Sequence, residues 1–128
     1  MRRILSLLLL TALLACAGPS RGPRTAIKGD HIQVFLEYHG RAKSLSVVGD
    51  FNEWQPGQDM YSELGSDNWR CSLELLPGRY TYLLRVEKDD GIHFVLDPTS
   101  YEEVRDGQGR RLSVLDLSAA MGDTSGKK

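Results

Sequence analysis

The sequence contains only two cysteines, Cys16 and Cys71, in 128 residues. A disulfide network is therefore excluded, and any folded part must be held by its apolar core. Long hydrophobic runs are also missing: the longest, Ile4 to Leu14, is too short for a permanent membrane span, which needs roughly 20 apolar residues. There is no excess of positive charge, with 16 Lys and Arg against 17 Asp and Glu. A nucleic-acid partner, which demands a basic face, is not expected. His31, His39 and His93 are scattered without ligand spacing, so neither a metal nor another cofactor is expected. No stretch after the first run carries a helical apolar stripe.

The amino terminus reads as a targeting segment. Met1-Arg2-Arg3 is cationic, an apolar run follows, and Leu13-Leu14-Ala15-Cys16 places a small residue before a cysteine. These four residues resemble the lipobox of bacterial lipoproteins, which implies a lipidated Cys16 at the new amino terminus after removal of residues 1–15. Cleavage of an ordinary signal peptide near Ala15 or Ala17 is the alternative. Several acyl chains hold a protein firmly in a membrane, since each buried methylene contributes about 0.8 kcal/mol. Losing Arg2 and Arg3 leaves a formal charge of −3 on the mature chain. Residues 16–29, rich in Gly and Pro, read as a lipidated cysteine and flexible tether, and residues 119–128 as a disordered tail. Ala17 rather than Asp after the cysteine points to the periplasmic face of the outer membrane in a Gram-negative cell envelope.

Residues 30–118 have a hydrophobic period of two. Ile32, Val34, Leu36 and Tyr38 alternate with polar neighbours and Phe35, as do Trp69, Cys71, Leu73 and Leu75, and then Tyr80, Tyr82, Leu84 and Val86. Shorter strands are predicted at Leu45–Gly49, Ile92–Leu96 and Leu112–Leu117. His39-Gly40, Pro77-Gly78, Asp89-Asp90-Gly91 and Asp106-Gly107-Gln108-Gly109 supply the turns. Six to eight short strands with no covering helix can bury their apolar faces only against one another, which predicts an all-β, two-sheet antiparallel sandwich.

Val47-Val48-Gly49-Asp50-Phe51-Asn52-Glu53-Trp54, Met60, Trp69, Leu73, Pro77-Gly78-Arg79-Tyr80-Thr81-Tyr82, Val86, Asp97-Pro98 and Asp106-Gly107-Gln108-Gly109 follow one another in an order that resembles the glycogen-binding module. This is the early-set immunoglobulin-like domain of AMP-activated kinase β subunits, isoamylases and branching enzymes. The resemblance spans residues 31–117. It implies a β-sandwich that binds α-glucan or a related carbohydrate without cleaving it. Carried over residue by residue, Trp54 matches the tryptophan that stacks on a glucose ring, and Phe94 replaces a second tryptophan. Leu83 stands where the family has a lysine, and Leu112 where it has an asparagine, so two polar contacts are missing. Tyr82 belongs to the motif strand, and Arg85 shares a strand face with Leu83 and could replace a lost donor. The carbohydrate-binding set is thus Trp54, Phe94, Tyr82 and Arg85.

Trp54 admits two readings, an exposed sugar platform or a cover for the sandwich edge. Trp69 and Cys71 lie in the inward register, Cys71 as a small buried hydrophobe. Asp50, Glu53, Asp97 and Asp106 are the carboxylates nearest the family loops. A glycosidase pair needs two convergent carboxyls, one with a raised pKa, and these read instead as turn and capping residues. No enzyme activity is expected. The partners implied are an α-glucan or other polysaccharide and the membrane; the alternative is a protein-interaction or structural envelope module whose sugar site is lost.

Overall fold

The computed structural model describes residues 22–62, 66–100 and 102–119. The signal peptide, Cys16, residues 17–21 of the tether and all of the tail but Ala119 lie outside the described residues. Ten strands are present among the described residues: β1 (Arg24–Lys28), β2 (His31–His39), β3 (Ser44–Gly49), β4 (Gln58–Asp59), β5 (Tyr61–Ser62), β6 (Asn68–Leu75), β7 (Arg79–Lys88), β8 (Gly91–Val95), β9 (Glu103–Arg105) and β10 (Arg111–Asp116).

All pairings are antiparallel, and they make two sheets. One has the order β1-β2-β6-β5; the other runs β4-β3-β7-β10-β9, with β8 also on β7. The long strand β7 organises the second sheet. β10 pairs with its first half through Tyr82 and β8 with its second half from Leu84, while β3 takes the opposite edge. Gly91 adopts φ +127° after the two-residue Asp89–Asp90 turn, a conformation that favours glycine.

The alternation in the sequence is the alternation in space. Ile32, Val34, Leu36, Trp69, Leu73 and Leu75 of the four-stranded sheet meet Leu45, Val47, Tyr82, Leu84, Val86 and Leu115 of the other. Their burial is the main stabilising term of this immunoglobulin-like sandwich. Trp69 spends its indole N–H on the Gly40 carbonyl at 3.1 Å, which satisfies the one polar atom that its burial would otherwise orphan.

The chain differs from expectation at its start. Residues 24–28, assigned by composition to the tether, form β1 in register with Phe35 to His31 of β2. Every β1 residue is exposed, so no apolar alternation advertises the strand. Backbone pairing, the Arg24 guanidinium over the Phe35 ring at 5.6 Å and the Lys28–Glu74 ion pair at 2.9 Å hold it. The two-residue strands β4 and β5 are too short to show a period; Met60 between them is buried in the core as the chain passes from one sheet to the other.

Candidate functional site

The segment Gly49 to Trp54 folds as a knuckle at the end of β3. Gly49 has no room for a side chain: a Cβ would lie 2.6 Å from the Thr81 carbonyl oxygen and 2.7 Å from Tyr82 Cβ. The short 3-10 turn Asp50–Asn52 follows. Asp50 Oδ2 accepts from the Thr81 backbone N–H at 2.7 Å and its hydroxyl at 2.9 Å, binding the turn to β7. Asn52 accepts from the Gly49 N–H at 2.9 Å and donates to the Val47 carbonyl at 2.8 Å. Phe51 packs on the main core and meets Tyr80 edge-on, with ring centroids 6.2 Å apart. Glu53 and Trp54 then take left-handed conformations at φ 56° and 60°. Such positions cost of order 1–3 kcal/mol each and persist only where their surroundings over-determine them. Here they turn Trp54 onto the outer face of the six-stranded sheet.

That face is unusual in carrying a second apolar layer. Val48, Leu83 and Leu112 are buried on the side of the sheet away from the main core, and Trp54, Leu96 and Val104 pack on them. Trp54 is half-buried, and its indole N–H points to Asp50 Oδ1 at 3.3 Å. Both readings of this residue are thus partly realised: the side chain packs on the cluster of Val48, Leu83 and Leu112, and part of it remains open. Leu83 and Leu112, where polar groups were missing from the sequence pattern, form the ground beneath it.

Phe94 lies on the same face and is 59% exposed. Its cross-strand partner is Arg85, which is half-buried and has no side-chain partner among the described residues. Three of the four residues expected to bind carbohydrate therefore share one face. Tyr82 does not, and it must be removed from the set. It points into the sandwich, is 0% exposed, and donates its hydroxyl to Asp97 Oδ2 at 2.6 Å. Burial, and then the Asp97 charge, push its pKa far up, so it remains a donor. The alternation that made Tyr82 a core residue overrides its membership of the motif.

The remaining candidates serve the scaffold. Asp97 is buried, and besides Tyr82 it accepts from the Thr99 N–H and hydroxyl, both at 2.8 Å. Its own N–H donates to Ser113 Oγ at 2.9 Å. Asp106 accepts from the Gln108 and Arg110 N–H groups at 2.9 Å, closing the glycine-rich turn. Cys71 is half-buried beside the core, and burial, with a smaller contribution from Asp97, pushes its thiol up to about 12. A thiol so far from ionisation is a poor nucleophile at neutral pH. No group of three or more His, Cys, Asp or Glu suited to a metal ion occurs among the described residues. Leu96 and Val104 were not singled out from the sequence; strand alternation places Leu96 on the Phe94 face, but nothing local ties Val104 to it.

A groove of about 520 Å³ lies at the opposite end of β3 and β7, lined by Arg41, Lys43, Asp67, Lys88, Asp89 and Asp90. Its walls are charged in both signs and Lys43 is paired with Asp89 at 3.2 Å. It has no aromatic platform, so the flat outer face is the better candidate.

The family model for carbohydrate-binding module 48 (isoamylase N-terminal domain) matches residues 22–100. No curated protein matches the chain. Among solved structures, the enterobactin esterase FES from Shigella flexneri, in the presence of 2,3-di-hydroxy-N-benzoyl-serine, superposes with a TM-score of 0.61 at 19% identity over 76% of this chain and 33% of that one. The same esterase with the corresponding glycine compound gives 0.61 at 20% identity, over 77% and 33% of the two chains. The enterochelin esterase from Shigella flexneri gives 0.56 at 19%, over 77% and 34%. The chain spans about a third of the length of these structures. At such identities the likeness speaks for the fold alone.

Proposed function

Because the chain belongs to the carbohydrate-binding module 48 family, we propose that it is a non-catalytic recognition module that binds an α-glucan or related carbohydrate weakly on the outer face of its six-stranded sheet. The observation that carries this reading is the presentation of Trp54 and exposed Phe94 on one face, the first held there by the whole Gly49–Asn52 turn. Sugar rings stack on such apolar faces, and hydrogen bonds to hydroxyls add orientation. With Leu83 and Leu112 apolar, affinity falls in the millimolar to high micromolar range, where millimolar corresponds to about 4 kcal/mol. Asp50 and Asp97 spend their oxygens on the fold, which supports a module without glycosidase chemistry.

Retention of the purified chain on immobilised amylose tests the reading, and Trp54→Ala is expected to abolish retention while leaving a folded sandwich. The second reading, a protein-interaction or structural envelope module, is favoured by the apolar ground under Trp54. Absence of retention for the wild type at high concentration would leave that reading in place.

The same proposal places the module on a membrane. Residues 1–15 are removed as a signal peptide, and Cys16 carries the lipid that anchors residues 30–118 to the cell envelope, at the periplasmic face of the outer membrane in a Gram-negative cell. The Leu13-Leu14-Ala15-Cys16 sequence supports this. Cys16→Ser is expected to abolish both acyl labelling and partition into detergent; unchanged partition would overturn the anchor.

A further inference from the structure

The register of four adjacent strands puts Asp59, Ser46, Arg85 and Phe94 in a single row across β4, β3, β7 and β8. Opposed residues of antiparallel strands point to the same side. Ser46 alternates with inward Leu45 and Val47, and Arg85 with inward Leu84 and Val86, so the row lies on the outer face. It runs beside the apolar row of Val48 and Leu83 that Trp54 covers, one two-residue step of about 6.8 Å away, and at about 4.8 Å per strand it is about 14 Å long.

Two features of this row are unexplained by the fold. Ser46 is only 3% exposed, yet its hydroxyl has no hydrogen-bond partner among the described residues, although buried polar groups are nearly always paired. Arg85 and Asp59, which flank it, have no side-chain partners among the described residues either. Ser46 is the shortest of the four side chains, so its hydroxyl lies at the floor of the row with longer side chains on both sides and the exposed Phe94 ring at one end.

We propose that Asp59, Ser46, Arg85 and Phe94 form a sugar subsite which supplies the polar contacts absent at Leu83 and Leu112, displaced by one step along the sheet. This rests on the carbohydrate reading above and names the residues that would make it specific. Phe94 stacks on a pyranose ring; Arg85 donates to ring hydroxyls, Asp59 accepts from them, and Ser46 can do either. The guanidinium has the Asp59 carboxylate on one side of the row. On the other, along the strand, is Glu87, to which Ser44 Oγ donates at 2.8 Å. One cation among two carboxylates suits an uncharged, hydroxyl-rich ligand rather than an anionic one.

Calorimetric titration of the full chain with maltoheptaose tests the subsite. Arg85→Gln is expected to weaken binding by about tenfold, the scale of one hydrogen bond to a charged group. Ser46→Ala is expected to weaken binding while raising the melting temperature of the free protein, because it removes an orphaned hydroxyl. A hydroxyl serving only the fold would lower both stability and, through it, binding. Wild-type binding with both variants unchanged would overturn the subsite and leave the carbohydrate reading standing. Preference for oligogalacturonate over maltoheptaose would overturn the uncharged ligand. Absence of wild-type binding would overturn the carbohydrate reading and the subsite with it.

Discussion

Asp97→Ala is expected to destabilise the protein by about 3–5 kcal/mol, the loss that follows when one partner of a buried charged network is removed. Three donors converge on this carboxylate, the Tyr82 hydroxyl and both the N–H and the hydroxyl of Thr99. Alanine would strand the Tyr82 hydroxyl in the main core, where it is 0% exposed. It would also release the Asp97-Pro98 turn that leads from β8 towards β9. A domain of this size has a total stability of about 5–15 kcal/mol, so the variant should unfold at a much lower urea midpoint. Tyr82→Phe removes one donor and leaves the carboxylate with Thr99, so its cost should be smaller, about 1.5–3 kcal/mol. Equal midpoints for wild type and Asp97→Ala would show that the network contributes nothing.

Leu73→Ala should cost about 2–5 kcal/mol, as truncation of a buried leucine leaves a cavity in addition to the lost transfer energy. Leu73 is buried opposite Val34 in the four-stranded sheet. Its neighbour Glu74 faces solvent and pairs with Lys28 at 2.9 Å, an exposed ion pair that water and salt screen. Glu74→Ala should therefore leave the urea midpoint nearly unchanged. Comparable losses from these adjacent positions would mean that the assigned inner face is wrong, since in a strand the two must point to opposite sides.

The contrast between those two residues is visible in the sequence, and so are β2, β3, β6, β7, β8 and β10. Each presents alternating apolar residues long enough to reveal a period of two, ended by turn residues. β1 is invisible by the same criterion: it buries nothing, and its pairing is made by backbone groups common to all residues. Tyr82 shows how a motif misleads, because its place in a family pattern marks importance without stating whether that is contact with ligand or support of the turn. Its inward alternation with Leu84 and Val86 already pointed to support.

The sequence by itself determined the all-β sandwich, the inner faces of its main strands, and the family to which the chain belongs. Only the tertiary structure decided what became of the outer face. Periodicity says that successive residues point to opposite sides but not what covers each side. Trp54, Leu96 and Val104 arrive over Val48, Leu83 and Leu112 from segments separated in the chain, and Asp59, Ser46, Arg85 and Phe94 become neighbours only through the register of four strands. Register is a relation between segments, set by the packing of the whole sheet and the length of its turns, and no local pattern carries it.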